Sequence, residues 1–209
     1  KDFPESSLLD HAHYRLGEIA FAEEDYKTAG SLYDTVISKW ASSPFAPYAI
    51  YGKGWSQLNA KEYPAATTTF TSLISGHKEH SLLSDTHYAR AMARRLSDDF
   101  KGAIEDIETY LKSNPEGTAK ADALYERGLA EVALKDNAAS EKTFASLLKE
   151  FPKYPRADSV INELAWSLKL QNKPEATAPF EQLGKGHPKG PFGPEAYFQI
   201  GADQYDKND

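Results

Sequence analysis

Apolar side chains recur along this chain at the spacing of an α-helix. Starting from a small residue, apolar residues follow four, seven and eight positions later, and this happens three times in succession. The three sets are Ala29, Tyr33, Val36 and Ile37; Ala66, Phe70, Leu73 and Ile74; and Ala103, Ile107, Tyr110 and Leu111. Such spacing places the apolar residues on one face of a helix. No run alternates between apolar and polar residues as a half-buried strand would, so the pattern predicts an all-α fold.

A period of 37 residues runs through the whole chain. Tyr14, Tyr51, Tyr88 and Tyr125 are each 37 apart, and small residues follow three positions later at Gly17, Gly54, Ala91 and Gly128. A fixed period of this length is the signature of a helical repeat array. We therefore predict a single array over residues 1–209, with two helices in each repeat. The predicted repeats span approximately 10–46, 47–83, 84–120, 121–157 and 158–193, with partial repeats at 1–9 and 194–209.

The helix starts and the two ends of the chain follow from this register. We expect the first helices to begin after the capping residues Asp10, Ser84 and Asp158, whose side chains can accept hydrogen bonds from free backbone N–H groups. Phe3-Pro4 lies four periods before Phe151-Pro152, and the chain closes on a first helix without its second. We therefore expect this sequence to be a segment of a longer array.

The repeat resembles the tetratricopeptide repeat (TPR) family. It has small residues in the first helix, an acidic-aromatic turn, a small residue at the start of the second helix and a proline after it, as at Pro115, Pro152 and Pro188. The resemblance implies a right-handed superhelical solenoid of about five helix-turn-helix repeats. The period exceeds the family's usual value of about 34, and the additional residues fall between repeats. In this the chain is similar to TPR proteins of the bacterial cell envelope, such as outer-membrane assembly lipoproteins and the Tol–Pal coordinator.

This resemblance implies a protein-interaction scaffold that binds a peptide or protein. The envelope-type linkers imply the bacterial periplasm or cell envelope, with the cytoplasm as the alternative. A second interpretation is a structural module that packs against its own chain or forms a homo-oligomer with a second copy. A third is a non-catalytic segment beside an envelope enzyme.

Composition and the absence of known motifs argue against several classes of function. With 24 Lys and Arg against 31 Asp and Glu, the formal net charge is −7, which argues against nucleic acid as the partner. The chain has no cysteine, and no apolar run reaches the ~18 residues of a membrane span. The pairs His11/His13 and His77/His80 lack a zinc-site spacing, and the glycine-rich stretch 184–194 lacks the order of a phosphate loop. We therefore predict no enzymatic activity, no metal and no cofactor.

The tyrosine column is the candidate binding site. The TPR resemblance implies that first helices line a concave groove and that the tyrosine position faces it. Helices packed ~8–10 Å apart would present one tyrosine to about every third residue of an extended peptide. The candidate residues are Tyr14, Tyr51, Trp55, Tyr88, Met92, Arg95, Tyr125 and Trp166.

A competing interpretation places the same residues in the core. Lys53, Arg90 and Arg127 stand two residues after a tyrosine, where the family has a buried leucine. A first helix rotated to expose these charges would bury the face from Tyr51 to Leu58. Groove lining and core packing therefore both remain open.

Overall fold

The computed structural model describes residues 8–206, which form helices and turns without strands. The helices are α1 (Leu9–Ala22), α2 (Tyr26–Lys39), α3 (Ala46–Asn59), α4 (Tyr63–Gly76), α5 (Leu83–Leu96), α6 (Phe100–Leu111), α7 (Gly117–Ala133), α8 (Asn137–Glu150), α9 (Ala157–Lys169), α10 (Thr177–Gly186) and α11 (Gly193–Asp206), with a 3₁₀ turn at Pro174–Ala176 before α10. The predicted all-α fold is confirmed. Phe3-Pro4 and most of the partial repeat 1–9 lie outside the described residues.

The helices group into two compact units, α1–α6 and α7–α11, divided between Ser113 and Asn114. In the first unit each odd-numbered helix pairs with the next helix, and α3 also contacts α1 and α5. Successive first helices therefore lie next to one another, and the second helices α2 and α4 each pack against the first helix before and the first helix after them. In the second unit α7 pairs with α8 and also contacts α9. None of the described helices has the length and apolar character needed to cross a membrane.

Glycines in the first helices let an aromatic ring from the second helix lie directly against the backbone. A Cβ atom added at Gly54 would lie 2.4 Å from the Phe70 ring, and one added at Gly128 would lie 2.3 Å from the Phe144 ring. Both rings are completely buried. Because real Cβ atoms do not approach so closely, the small residues of the 37-residue pattern are needed for helix packing.

The turn inside each hairpin has a left-handed residue at its centre. Five such residues, 37 apart, have positive φ angles between 55° and 64°: Glu24, Lys61, Asp98, Lys135 and Asn172. The next residue donates its N–H to the carbonyl five positions back, as from Asp99 to Arg94 at 2.9 Å, which is the Schellman pattern. The Asp99 side chain then accepts the Gly102 N–H at 3.1 Å. Asp99 therefore both ends α5 and caps α6, and Asp25 and Asp136 cap α2 and α8 in the same way.

The predicted capping roles of Asp10, Ser84 and Asp158 are wrong. The helices begin one residue earlier, at Leu9, Leu83 and Ala157, and no side chain caps them. For α5 and α9, the linker ahead ends in a turn, in which the Leu83 N–H bonds to the His80 carbonyl and the Ala157 N–H to the Tyr154 carbonyl. These turns lead the backbone into the helix before the polar residue is reached. Asp10 instead accepts hydrogen bonds from the His11 N–H and the Ser43 hydroxyl.

Replacing Gly54 with alanine should destabilise the fold by about 1–3 kcal/mol, because the added methyl group overlaps the buried Phe70 ring. The matched control is Gly30→Ala in α2, where an added Cβ meets nothing within 4 Å. That change should stabilise the fold by about 0.5–1 kcal/mol, since alanine is the better helix former. Urea unfolding of both variants gives the comparison, and equal effects would contradict the assigned packing.

Replacing Lys61 with glycine should stabilise the fold by up to about 1 kcal/mol, because an L-residue with a side chain is strained at a left-handed backbone position. Lys61→Ala is the control, since it removes the same exposed side chain and keeps the strain. Denaturant midpoints measure both variants. A midpoint for the glycine variant no higher than that of the alanine variant would argue against a strained turn.

Candidate binding site

All four tyrosines of the column are half-buried. Each ring contacts a buried aromatic residue on the second helix of the same hairpin. The centroid distances are 6.0 Å for Tyr14–Tyr33, 6.0 Å for Tyr51–Phe70, 5.1 Å for Tyr88–Tyr110 and 6.4 Å for Tyr125–Phe144. The column therefore packs on the core with one part of each ring and leaves another part accessible. Its role in binding stays a prediction.

The remaining candidate residues divide between the two units. Trp55 packs edge-on against Tyr51 at 6.1 Å, and Met92 packs against the same hydrophobic cluster. Arg95 lies at the end of α5 and is half-buried. Trp166 contacts Phe180 at 5.7 Å in the second unit, which also holds Tyr125. The first unit therefore contains six of the eight candidates.

A pocket of about 670 Å³ opens between α1, α2 and α3 in the first unit. We call it the aromatic pocket. Its lining residues are Tyr14, Glu18, Phe21, Tyr33, Tyr48, Tyr51, Gly52, Trp55 and Asn59. Of the predicted site, it includes Tyr14, Tyr51 and Trp55, whereas Tyr88, Met92 and Arg95 are not part of its lining. The sequence pattern did not identify Tyr33, Tyr48 and Glu18.

The Tyr33 ring lies between the backbones of α1 and α3. A Cβ atom added at Gly17 or at Gly52 would lie 2.6 Å from this ring. Tyr33 is only 3% exposed, and its hydroxyl group has no hydrogen-bond partner among residues 8–206. Burial and the nearby Glu18 charge raise the pKa of Tyr33 to about 12. The hydroxyl is therefore a protonated donor at neutral pH, held in the pocket lining.

Glu18 is the charged residue in the pocket lining. Its Oε1 accepts the Tyr14 hydroxyl at 2.9 Å, and its Oε2 accepts Arg15 Nη1 at 2.6 Å. Burial is the main cause that raises the pKa of Tyr14 above its ordinary value, and the hydrogen bond to Glu18 is the second. The Arg15 side chain is 64% exposed, so its ion pair with Glu18 is screened by water and contributes little stability.

The three basic residues that favoured the core interpretation are held by carboxylates within the fold. Lys53 pairs with Asp34, and Arg127 Nε donates to Glu131 at 2.7 Å. Arg90 makes two hydrogen bonds to Asp106, at 2.6 and 2.8 Å. The pairs of Lys53 and Arg90 therefore join neighbouring helices, whereas the Arg127–Glu131 pair lies within α7.

Asp106 is the centre of a buried polar cluster between α5 and α6. The residue is 2% exposed and is hydrogen-bonded to His87, Arg90 and Arg94. Burial alone would raise its pKa, but the hydrogen bonds and the arginine charges outweigh burial and hold the pKa of Asp106 below its ordinary value. Among residues 8–206, no group of three or more His, Asp and Glu side chains is placed to hold a metal ion.

In the second unit, the side chain of Arg156 lies over a tyrosine of the column, Tyr125. The Arg156 guanidinium lies 4.5 Å from the centre of the Tyr125 ring and 5.4 Å from that of Tyr154. Asp122 accepts hydrogen bonds from both Arg156 and the Tyr154 hydroxyl. A guanidinium, aromatic rings and a carboxylate thus form one cluster at a column position.

Residues 45–202 match the YfiO family, described as outer membrane lipoprotein. The chain belongs to this family. The predicted resemblance to TPR proteins of the bacterial cell envelope is thereby confirmed. Comparison with curated protein sequences finds no match.

Solved structures of TPR proteins share the fold. A TPR protein from Parabacteroides merdae is 21% identical, with a TM-score of 0.75 over 93% of this chain and 75% of that one. MamA from Desulfovibrio magneticus is 15% identical, with a TM-score of 0.73 over 84% and 93%. YrrB, described as a TPR protein with an unusual peptide-binding site, is 14% identical, with a TM-score of 0.72 over 88% and 90%. TPR-type helical repeat proteins are commonly protein-interaction scaffolds.

Replacing Asp106 with asparagine should cost about 3–5 kcal/mol of unfolding free energy, because two largely buried arginines lose their counter-charge. The matched control is Asp34→Asn, whose 56% exposed carboxylate pairs with Lys53 and should contribute less than about 1 kcal/mol.

The pH dependence gives a second measurement on the same variants. Since the pKa of Asp106 is lowered by folding, its contribution is fully present above the unfolded value of about 3.9 and is lost as pH falls through the folded value. Urea unfolding between neutral and acid pH should therefore show a smaller acid loss for Asp106→Asn than for the unchanged protein. Parallel pH profiles would contradict the stabilising role of the carboxylate.

Proposed function

We propose that this chain is a non-catalytic scaffold that binds a peptide or protein segment in the aromatic pocket. The observation that carries the proposal is the pocket itself, which has the volume of a typical ligand site and is lined by six aromatic side chains. Aromatic side chains commonly supply the largest part of the binding energy at protein interfaces. The half-buried state of Tyr14, Tyr51 and Trp55 supports the proposal, because each ring is held by the core and still offers accessible surface.

Family and fold support the same proposal. Both are those of TPR scaffolds, which are generally not catalytic. The net charge of −7 favours a protein or peptide over nucleic acid as the partner. The description of the YfiO family as outer membrane lipoprotein supports the bacterial cell envelope as the compartment in which binding occurs.

Self-association is the second candidate, and exposed apolar residues favour it. On α11, Tyr197, Phe198 and Tyr205 are 50%, 68% and 71% exposed. On α1, Leu16 and Ile19 are 50% and 54% exposed. Contact between two copies through such surfaces would bury apolar area. Analytical ultracentrifugation over a range of concentrations distinguishes this candidate from a monomeric scaffold.

Selection of peptides from a displayed random library tests the leading proposal. The selected peptides should bind Tyr48→Ala and Trp55→Ala at least about tenfold more weakly than the unchanged protein, because both side chains line the pocket. Tyr205→Ala is the matched control, since it removes an exposed tyrosine on α11 in the other unit. Fluorescence anisotropy measures the affinities, and circular dichroism verifies that each variant is folded. Selected peptides whose affinity is unchanged in both pocket variants would overturn the proposal.

A further inference from the structure

We infer that the aromatic pocket binds a cationic side chain, lysine or arginine, presented by the bound segment. The inference rests on the proposed scaffold function and specifies the chemistry of the partner. It is carried by the pocket walls, by the charge beside them, by the Arg156 cluster of the second unit and by the Tyr33 hydroxyl.

The walls of the pocket suit a cation. The faces of tyrosine and tryptophan rings carry partial negative charge and attract ammonium and guanidinium groups within about 6 Å of the ring centre. Tyr14 and Tyr48 lie 6.3 Å apart in an edge-to-face arrangement, and Tyr51 and Trp55 lie 6.1 Å apart in the same way. These rings are therefore steeply inclined to one another and border one volume.

The charge around the pocket is negative. Glu18 is a lining residue, and the Asp85 charge of the neighbouring α5 acts on the Tyr51 hydroxyl. The lining includes no lysine, arginine or histidine. Arg15 pairs with Glu18 but is 64% exposed, so water screens its charge, and a carboxylate can accept more hydrogen bonds than the two that Glu18 makes. The net charge of −7 also favours approach of a basic segment.

The second unit shows this combination with the cation in place. There the Arg156 guanidinium lies over Tyr125, a member of the same column as Tyr14 and Tyr51, and pairs with Asp122. The aromatic pocket has the corresponding column rings and a carboxylate, Glu18, hydrogen-bonded to one of them. On Tyr14 the position that corresponds to Arg156, 31 residues after the column tyrosine, is held by Phe45, which stacks on the ring at 5.5 Å. A lysine or arginine from a partner would therefore bind beside the column rings in the pocket and not in the place of Arg156.

The Tyr33 hydroxyl fixes the position of the bound segment. It is protonated and lies in the pocket lining, it makes no hydrogen bond to the described residues, and it is not one of the fully buried polar atoms, so it keeps contact with water. A backbone carbonyl beside the cationic side chain would accept its hydrogen bond in place of water. The site therefore recognises a basic residue within a peptide backbone, and a free cation would bind it more weakly.

The probes are three synthetic peptides: acetyl-Gly-Gly-Arg-Gly-Gly-amide and its counterparts with norleucine or phenylalanine in place of arginine. Titrations are followed by NMR at the Trp55 indole resonance, assigned with Trp55→Phe. The arginine peptide should shift this resonance and bind at least about fivefold more tightly than either neutral peptide, as expected for a cation on an aromatic face with a carboxylate beside it.

Glu18→Gln should reduce the advantage of arginine over norleucine to about twofold or less, because the charge-assisted hydrogen bond is lost. Glu23→Gln is the matched control, since Glu23 is an exposed acidic residue in the turn after α1 and outside the pocket lining; it should leave the advantage unchanged. Neutral peptides that bind as tightly as the arginine peptide, no shift with any peptide, or an advantage unaffected by Glu18→Gln would overturn the inference.

The library selection separates this inference from the proposed function. If the selected peptides depend on the pocket but lack lysine and arginine, the inference of a cationic side chain is wrong and the proposed scaffold function still holds. Selected peptides that bind independently of the pocket, together with no shift of the Trp55 resonance by any probe, would overturn both.

Discussion

Contact between an aromatic ring of one helix and the glycine backbone of another sets how closely the helices of several hairpins approach each other. Gly54 against Phe70 and Gly128 against Phe144 bring the two helices of a hairpin together more closely than any larger side chain would permit. Such contacts exclude water completely from the ring. Tyr33 extends this arrangement, because its ring lies between glycines on two successive first helices. The aromatic pocket is therefore a product of the same packing rule that builds the repeat.

The repeat was predictable from sequence because its determinants are local and periodic. Small residues and aromatic residues recur at fixed positions, and each recurrence strengthens the others. The pocket depends on three helices, and no single helical pattern contains that information. Glu18 and Tyr48 are ordinary surface residues in their own helices, and they share a site only because α1 and α3 lie side by side.

The tyrosine column shows why the choice between groove and core could not be made from sequence. A tyrosine has an apolar ring long enough to reach the core and a hydroxyl that favours water. The four column residues are half-buried, so a choice between buried and exposed does not describe them. The left-handed turn residues could not be predicted from sequence either, because Lys61 and Glu24 are not glycines and their side chains do not indicate a positive φ angle.

The turns also determine where the chain tolerates additional sequence. In three of the hairpins, a single aspartate ends the first helix and caps the second, so no residue lies between the end of one helix and the cap of the next. An epitope or reporter domain inserted beside Asp99 would break a helix end and a helix start together. At Asn114, which is exposed and is the first residue of the second compact unit, the same insertion would interrupt neither hairpin. Engineering of tagged or split versions of this protein should therefore begin at Asn114.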